Sequence, residues 1–214
     1  GTLHIGSTPH FCNSILLDVM LKIEGRYPRV SLLLEESDSE NVIKQIEAGV
    51  LQMGLVQLCD VENDFLLERV IQRSILLEEL FEEEMCVVVG EHHPLADRAQ
   101  IVLKELMQYS YATYRDAMNT RVKAFLDRYQ GRIAHISEIV SLRQFIMRTN
   151  SYTVIPRRAV LHGNIIYQEK LVPLPVPELT WNSKIGLVRP NNEMTVLEKT
   201  VRDELLARCK AYQN

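Results

Sequence analysis

The sequence predicts an α/β protein folded as two lobes, and three observations predict it. Short apolar runs alternate with segments of helical apolar spacing over residues 3–56, and the same alternation returns over residues 103–155. An extended stretch spaced by Pro173, Pro175 and Pro177 then leads to a last strand and an amphipathic helix, so the chain crosses between lobes twice. Finally, 214 residues are enough to bury a real core without disulfide staples.

Residues 3–5 read as a short strand ended by Gly6-Ser7-Thr8-Pro9. A helix follows with Ile15, Leu16, Val19, Met20 and Ile23 on one face, and it stops before Pro28. Residues 30–34 are the second strand. Ser37-Asp38-Ser39-Glu40 matches the capping box S-x-x-E, with Ser37 as the expected cap. The helix it opens carries Val42, Ile43 and Ile46 and ends at Gly49. Residues 53–56 are the third strand, and β-α-β-α-β order predicts a parallel sheet with right-handed crossovers.

The rhythm changes next. Residues 65–77 are apolar without a turn signal, and Glu78, Glu79, Glu82, Glu83 and Glu84 read as a solvated face around Leu80-Phe81. Residues 85–89 are a strand, and His92-His93-Pro94-Leu95-Ala96 is a turn. Residues 103–107 form a short helix and 110–113 a strand. Asn119 or Thr120 caps a helix bearing Val122, Phe125, Leu126 and Tyr129, which ends at Gly131. A strand over 133–136, a helix over 138–149 with Leu142, Phe145 and Ile146, and a strand over 152–155 complete the second set. Residues 171–174 suit an edge or crossing strand, 184–188 are a strand, and 195–209 are a helix with Val196, Leu197, Val201, Leu205 and Leu206.

Composition narrows the function. A net charge of −4, 46% apolar residues and 24% charged residues are ordinary for a globular chain and exclude collagen-like, disordered and coiled-coil classes. No apolar run approaches the roughly 18 residues of a membrane span. The mild acidity argues against this stretch itself gripping a phosphate backbone. Cys12, Cys59, Cys86 and Cys209 form no C-x-x-C pair, and scattered cysteines without an export signal fit a reducing cytoplasm. Cys86 lies in an apolar run and reads as a small core residue. His10 with Cys12 gives only two ligands. His92 and His93 are chain neighbours that point apart, so no metal is predicted. Dinucleotide, P-loop, nucleophile-elbow and zinc-protease patterns are all missing, so neither a cofactor nor an enzyme is predicted. Gly1 opens the chain with no start Met or leader, which reads as a piece of a longer protein.

Binding remains. In α/β sheets, ligands sit beyond the carboxyl ends of the parallel strands. Ser7, Thr8, Pro9 and His10 follow the first strand, Ser37, Asp38 and Ser39 the second, and Gln57 the third. Tyr114, Arg115 and Met118 follow one strand of the second set and Ser137 another. Hydroxyls at helix N-termini, with open backbone N–H groups, make a receptor for a carboxylate or similar anion, and Arg115 adds a bidentate partner. Each residue also has a plain role. The serines and Thr8 serve as caps or turn formers, Arg115 as a partner of Asp116 or of a surface Glu, Met118 as core and Gln57 as a strand-edge donor.

The ordered set of motifs resembles the effector-binding domain of LysR-type transcriptional regulators. It is carried by Leu3-His4-Ile5-Gly6, by Arg26-Tyr27-Pro28-Arg29-Val30 and by Ile46-Glu47-Ala48-Gly49-Val50-Leu51 with Met53-Gly54-Leu55. Glu79-Leu80, Val87-Val88-Val89, His93-Pro94-Leu95-Ala96 and residues 149–156 continue it in order. Gln52 departs from that family's usual Asp, and Thr149 and Ser151 depart from its glycines. The cysteine pair of its peroxide sensors has no counterpart over residues 110–125. The resemblance implies two Rossmann-like lobes of the type 2 periplasmic-binding-protein-like fold with a central cleft. Lobe I would comprise residues 1–78 and 178–214, and lobe II residues 79–177. It also implies a small effector in the cleft, a homodimer or tetramer, and DNA contact only through an N-terminal winged helix-turn-helix absent from this chain. The rival readings are a solute-binding protein of a transporter and an enzyme on the same fold, for which Asp38 and His10 are the acid–base candidates at the strand ends. The coding sequence upstream of Gly1 separates the three.

Overall fold

The computed structural model describes residues 1–61, 63–115, 119–168 and 170–213. In chain order the elements are β1 (Thr2–Ser7), α1 (Pro9–Phe11), a π-helical segment (Cys12–Leu16), α2 (Leu17–Arg26), β2 (Ser31–Glu36), α3 (Ser39–Glu47), β3 (Met53–Gln57) and a 3₁₀ turn (Leu58–Asp60). Then come α4 (Asn63–Ile71), β4 (Ile75–Gly90), α5 (Leu103–Leu106), β5 (Tyr111–Tyr114), α6 (Thr120–Tyr129), β6 (Ile133–Ile136) and α7 (Ile139–Arg148). The chain closes with β7 (Tyr152–Pro156), α8 (Arg157–Tyr167), β8 (Leu171–Leu174), a 3₁₀ turn (Pro177–Leu179), β9 (Trp181–Pro190) and α9 (Val196–Gln213). The chain divides into unit 1, Gly1–Phe81 with Lys184–Asn214, and unit 2, Glu82–Ser183.

In unit 1 the strand order is β2-β1-β3-β9-β4. The first three strands are parallel, as β-α-β-α-β order requires, and β9 is antiparallel to β3. One sheet face packs Leu3, Ile5, Met53 and Leu55 against Phe11, Ile15, Val19 and Ile23, with Val201 and Leu205 of α9. The other face packs Val56 and Val188 against Val42, Ile43 and Ile46 of α3. Gly6 and Gly54 are register partners on neighbouring strands. A Cβ on Gly54 would meet Val42 Cγ1 at 2.5 Å and the Gly6 carbonyl at 2.7 Å, so α3 seats directly on bare backbone.

Unit 2 repeats the plan with strand order β4-β7-β5-β6, and β8 pairs β4. β5 is parallel to β6 and β7, whereas β7 and β8 run antiparallel to β4. Val87, Val89, Tyr111 and Tyr152 fill one side with Val122 and Leu126 of α6. Cys86, Val88 and Ala112 fill the other with Leu142 and Ile146 of α7.

Several elements differ from expectation. The segment over 65–77 is α4 followed by the start of β4, a strand that continues to Gly90. The glutamate run is not a uniformly solvated face. Glu78 pairs Arg202, Glu79 pairs Lys184 and Glu84 pairs Arg157, while Glu83 is 1% exposed and pairs Arg158. Helix α8 was not anticipated, because Arg157-Arg158 and Gly163 interrupt its apolar spacing. Asp38, not Ser37, caps α3 by accepting the Asn41 N–H at 2.9 Å, while the Ser37 N–H is committed to the Ser7 carbonyl. Helix α6 ends in left-handed Gln130 rather than at Gly131. The departures from the LysR pattern have local answers. Gln52 Oε1 accepts the His4 N–H, and Thr149 is extended, with its hydroxyl on the Phe145 carbonyl and accepting the Ser151 N–H.

Candidate functional site

In unit 1 the site is built from the ends of β1, β2 and β3. Thr8 has extended backbone (φ −65°, ψ 153°) and stands at the N-cap of the helical stretch 9–26, but its side chain makes no capping bond. Pro9 occupies the first helical position, where a missing N–H is harmless. The His10 and Phe11 N–H groups are therefore the first-turn donors, at the positive end of the helix, with no side-chain acceptor from Thr8. His10 reaches the other way, with Nε2 at 2.5 Å from the Tyr212 hydroxyl of α9. Ser7 is fully buried, and its hydroxyl donates to the Leu55 carbonyl at 2.7 Å, tying β1 to β3.

Ser39 and Gln57 are also buried together. The Ser39 hydroxyl accepts the Gln57 N–H at 3.0 Å, and Gln57 Nε2 lies 3.6 Å from Cys59 Sγ. Two residues that sequence reasoning missed belong to the same corner. Glu36 ends β2 as the register partner of Ser7, and Asn13 Nδ2 donates both to its Oε1 at 2.9 Å and to the Pro9 carbonyl at 2.8 Å. Glu35-Glu36 reads as loop after an apolar run, which hid Glu36, and its register with Ser7 is a property of the sheet.

In unit 2, Tyr114 ends β5 and Arg115 follows in the left-handed region (φ 53°), a strained position for a side chain of this size. The Arg115 N–H donates to the Ile136 carbonyl at 2.8 Å, and Nε donates to the Tyr114 hydroxyl at 3.1 Å. The guanidinium lies 5.4 Å from the Tyr114 ring centre, and His135 Nδ1 is 3.2 Å from the Arg115 carbonyl. Ser137 is exposed beyond β6. Met118 and Asp116 lie outside the described residues.

Burial, with the Glu36 charge next, pushes the Cys12 thiol up to about 12. Burial likewise raises Cys86 to about 11 and Cys209 to about 12, so all three stay thiols at neutral pH. Among the described residues no three of His, Cys, Asp or Glu gather as a metal set, and no helix is long and apolar enough to cross a membrane.

Parallel β-α-β strands joined by an antiparallel neighbour, β9 in unit 1 and β4 in unit 2, define the type 2 periplasmic-binding-protein-like class. The chain belongs to the LysR substrate binding domain family, whose model matches residues 1–210. Among its relatives is the hydrogen peroxide-inducible genes activator of Haemophilus influenzae, 23% identical over 83% of this chain and 58% of that protein. The chain thus spans little more than half the length of that relative. In fold it is similar to the Synechocystis PCC6803 CcmR regulatory domain in complex with 2-PG (TM-score 0.75, 14% identity, 98% of each chain). It is likewise similar to the effector binding domain of QuiR in complex with shikimate (TM-score 0.73, 16% identity, 99% of this chain and 98% of that one).

Proposed function

We propose that this chain is the ligand-sensing domain of a LysR-type transcriptional regulator and that a small acid is its effector. Family membership over residues 1–210 carries the first part. The helix start at Thr8, with first-turn N–H groups that its side chain leaves uncapped, supports the second. Thr8, Pro9 and His10 hold the acid group, while Ser7, Ser39 and Gln57 fix the strand ends beneath them. In unit 2, Tyr114, Arg115, Met118 and Ser137 are the corresponding contacts. The domain catalyses nothing, uses no cofactor, works in the cytoplasm and acts as a homodimer or tetramer. It meets DNA only through a helix-turn-helix module outside these residues. The relatives are named as regulators, which leaves the transporter reading without support.

The mechanism is differential affinity: an effector that binds one arrangement of the domain better shifts the population toward it. A thermal-shift screen of small carboxylates and aromatic acids tests the reading. At least one acid is expected to raise the melting temperature, and Thr8→Phe is expected to abolish that rise while leaving the ligand-free melting temperature nearly unchanged. An acid response that survives Thr8→Phe, or no response to any acid, overturns it. Ser7 is the wrong residue for this test, because its hydroxyl holds β1 to β3.

A further inference from the structure

We infer that the effector carries a cationic, hydrogen-donating group beside its acid group and that Glu36 receives it. This rests on the reading that the acid group binds at Thr8 and the first helical turn.

Registered residues on parallel neighbours share a sheet face. Glu36, Ser7 and Leu55 are in register across β2, β1 and β3, and Leu55 packs in the core beneath Phe11 and Cys12. The Glu36 side chain therefore lies on the face covered by the helical stretch 9–26. Asn13 fixes it there, since one amide nitrogen bridges Glu36 Oε1 and the Pro9 carbonyl. The carboxylate is thus tied to the same turn that offers its N–H groups to an acid. Its charge reaches the turn, because Glu36 is second only to burial in raising the Cys12 thiol.

Some glutamates of unit 1 have cationic partners, as Glu40 has Lys44, Glu47 has Arg69, Glu78 has Arg202 and Glu204 has Lys22 and Arg26, and others bond neutral groups, as Glu68 bonds Gln72 and Glu198 bonds Thr195. Glu36 has only the neutral Asn13, and among the described residues no Lys, Arg or His pairs with it. An anion receptor with an uncompensated carboxylate at its edge repels a simple acid and welcomes one with its own positive group. The class that satisfies both ends is a zwitterion of the amino-acid type. The carboxylate lies on the helix N-terminus and the ammonium against Glu36.

Matched probes test this by titration calorimetry on the 214-residue chain. The pairs are propionate and alanine, succinate and aspartate, and 3-phenylpropionate and phenylalanine. The amino member of at least one pair is expected to bind at least about tenfold tighter than its partner. Glu36→Gln keeps an oxygen for the Asn13 bond, so the ligand-free melting temperature is expected to hold while the tenfold gap closes. Equal or tighter binding of the plain acids by the unaltered chain overturns the inference and leaves the acid site standing, as does a gap that persists in Glu36→Gln. If neither series binds, or binding ignores Thr8→Phe, the acid site itself fails and this inference falls with it.

Discussion

His93 is 5% exposed, and its ring packs against Tyr109 at 4.5 Å between centres. Nδ1 accepts the Leu95 N–H at 3.1 Å, which leaves Nε2–H to donate to the Asn150 carbonyl at 3.1 Å. That pattern requires neutral imidazole, since a proton on Nδ1 would face the Leu95 N–H. Burial holds His93 below its ordinary value of 6.5, partly opposed by the Asn150 bond. With the folded value depressed, the unfolded chain takes up the proton first as pH falls. Stability is therefore full above pH 6.5, declines from there toward the folded value, and levels off below it. Urea midpoints between pH 7.5 and 5 are expected to fall less in His93→Asn, whose oxygen still accepts from Leu95 but does not titrate; an equal fall refutes the assignment. Glu83 makes a second residue-scale case. Its carboxylate accepts the Arg158 N–H at 3.2 Å and Nη1 at 2.7 Å, so it caps α8 from β4. Glu83→Ala is expected to lower unfolding free energy by about 1–3 kcal/mol, read from urea melts, because it strands the first turn of α8 without its acceptor.

At the scale of elements, α3 sits tightly on β1 and β3. Gly54→Ala puts a methyl group against Val42 Cγ1 and the Gly6 carbonyl, and the carbonyl cannot swing away without breaking the sheet. The expected loss is about 1–3 kcal/mol of stability, with the secondary-structure signal retained at low temperature. A neutral melt would mean that α3 lifts freely. Helix α9 tests a cap instead. Thr195 Oγ1 accepts the Glu198 N–H at 3.2 Å, and Glu198 reaches back to the Thr195 N–H at 2.6 Å, so Thr195→Ala is expected to cost about 1 kcal/mol. The elements legible in the sequence are those whose apolar spacing is clean, such as α2, α3, α6 and α7. Those that were not carry tertiary information. β4 begins at Ile75 because its glutamates find cations on other elements. Helix α8 starts on Arg157-Arg158, which only a carboxylate from β4 explains. The α3 cap slid by one residue because the Ser37 N–H is taken by β1, a pairing that sequence spacing does not reveal. The same holds at the candidate site, where Ser7 is visible as a residue type but its bond to Leu55 is a property of the sheet.

For the whole molecule, the parallel sheets and the LysR family were readable from motif order, since weak motifs gain force when all occur in sequence. The two units draw on the chain differently. Unit 1 draws on both ends of the chain, with Ile185 and Leu187 of β9 and Val201, Leu205 and Cys209 of α9 in the same core as Leu3 and Ile5. Unit 2 is one continuous stretch, Glu82–Ser183, and both of its core clusters are drawn from within that stretch. The two units should therefore behave differently when separated. Residues 82–183 expressed alone are expected to give a dispersed NMR spectrum and a cooperative melt. Residues 1–81 alone are expected to remain unfolded, because β3 loses its neighbour β9 and Phe11, Ile15 and Phe81 lose the cover of α9. Supplying residues 184–214 as a second fragment should restore the first, as the missing strand and helix return together. A folded 1–81 fragment would show that the N-terminal β-α-β-α-β core is self-sufficient, and that β9 and α9 dock onto it rather than complete it.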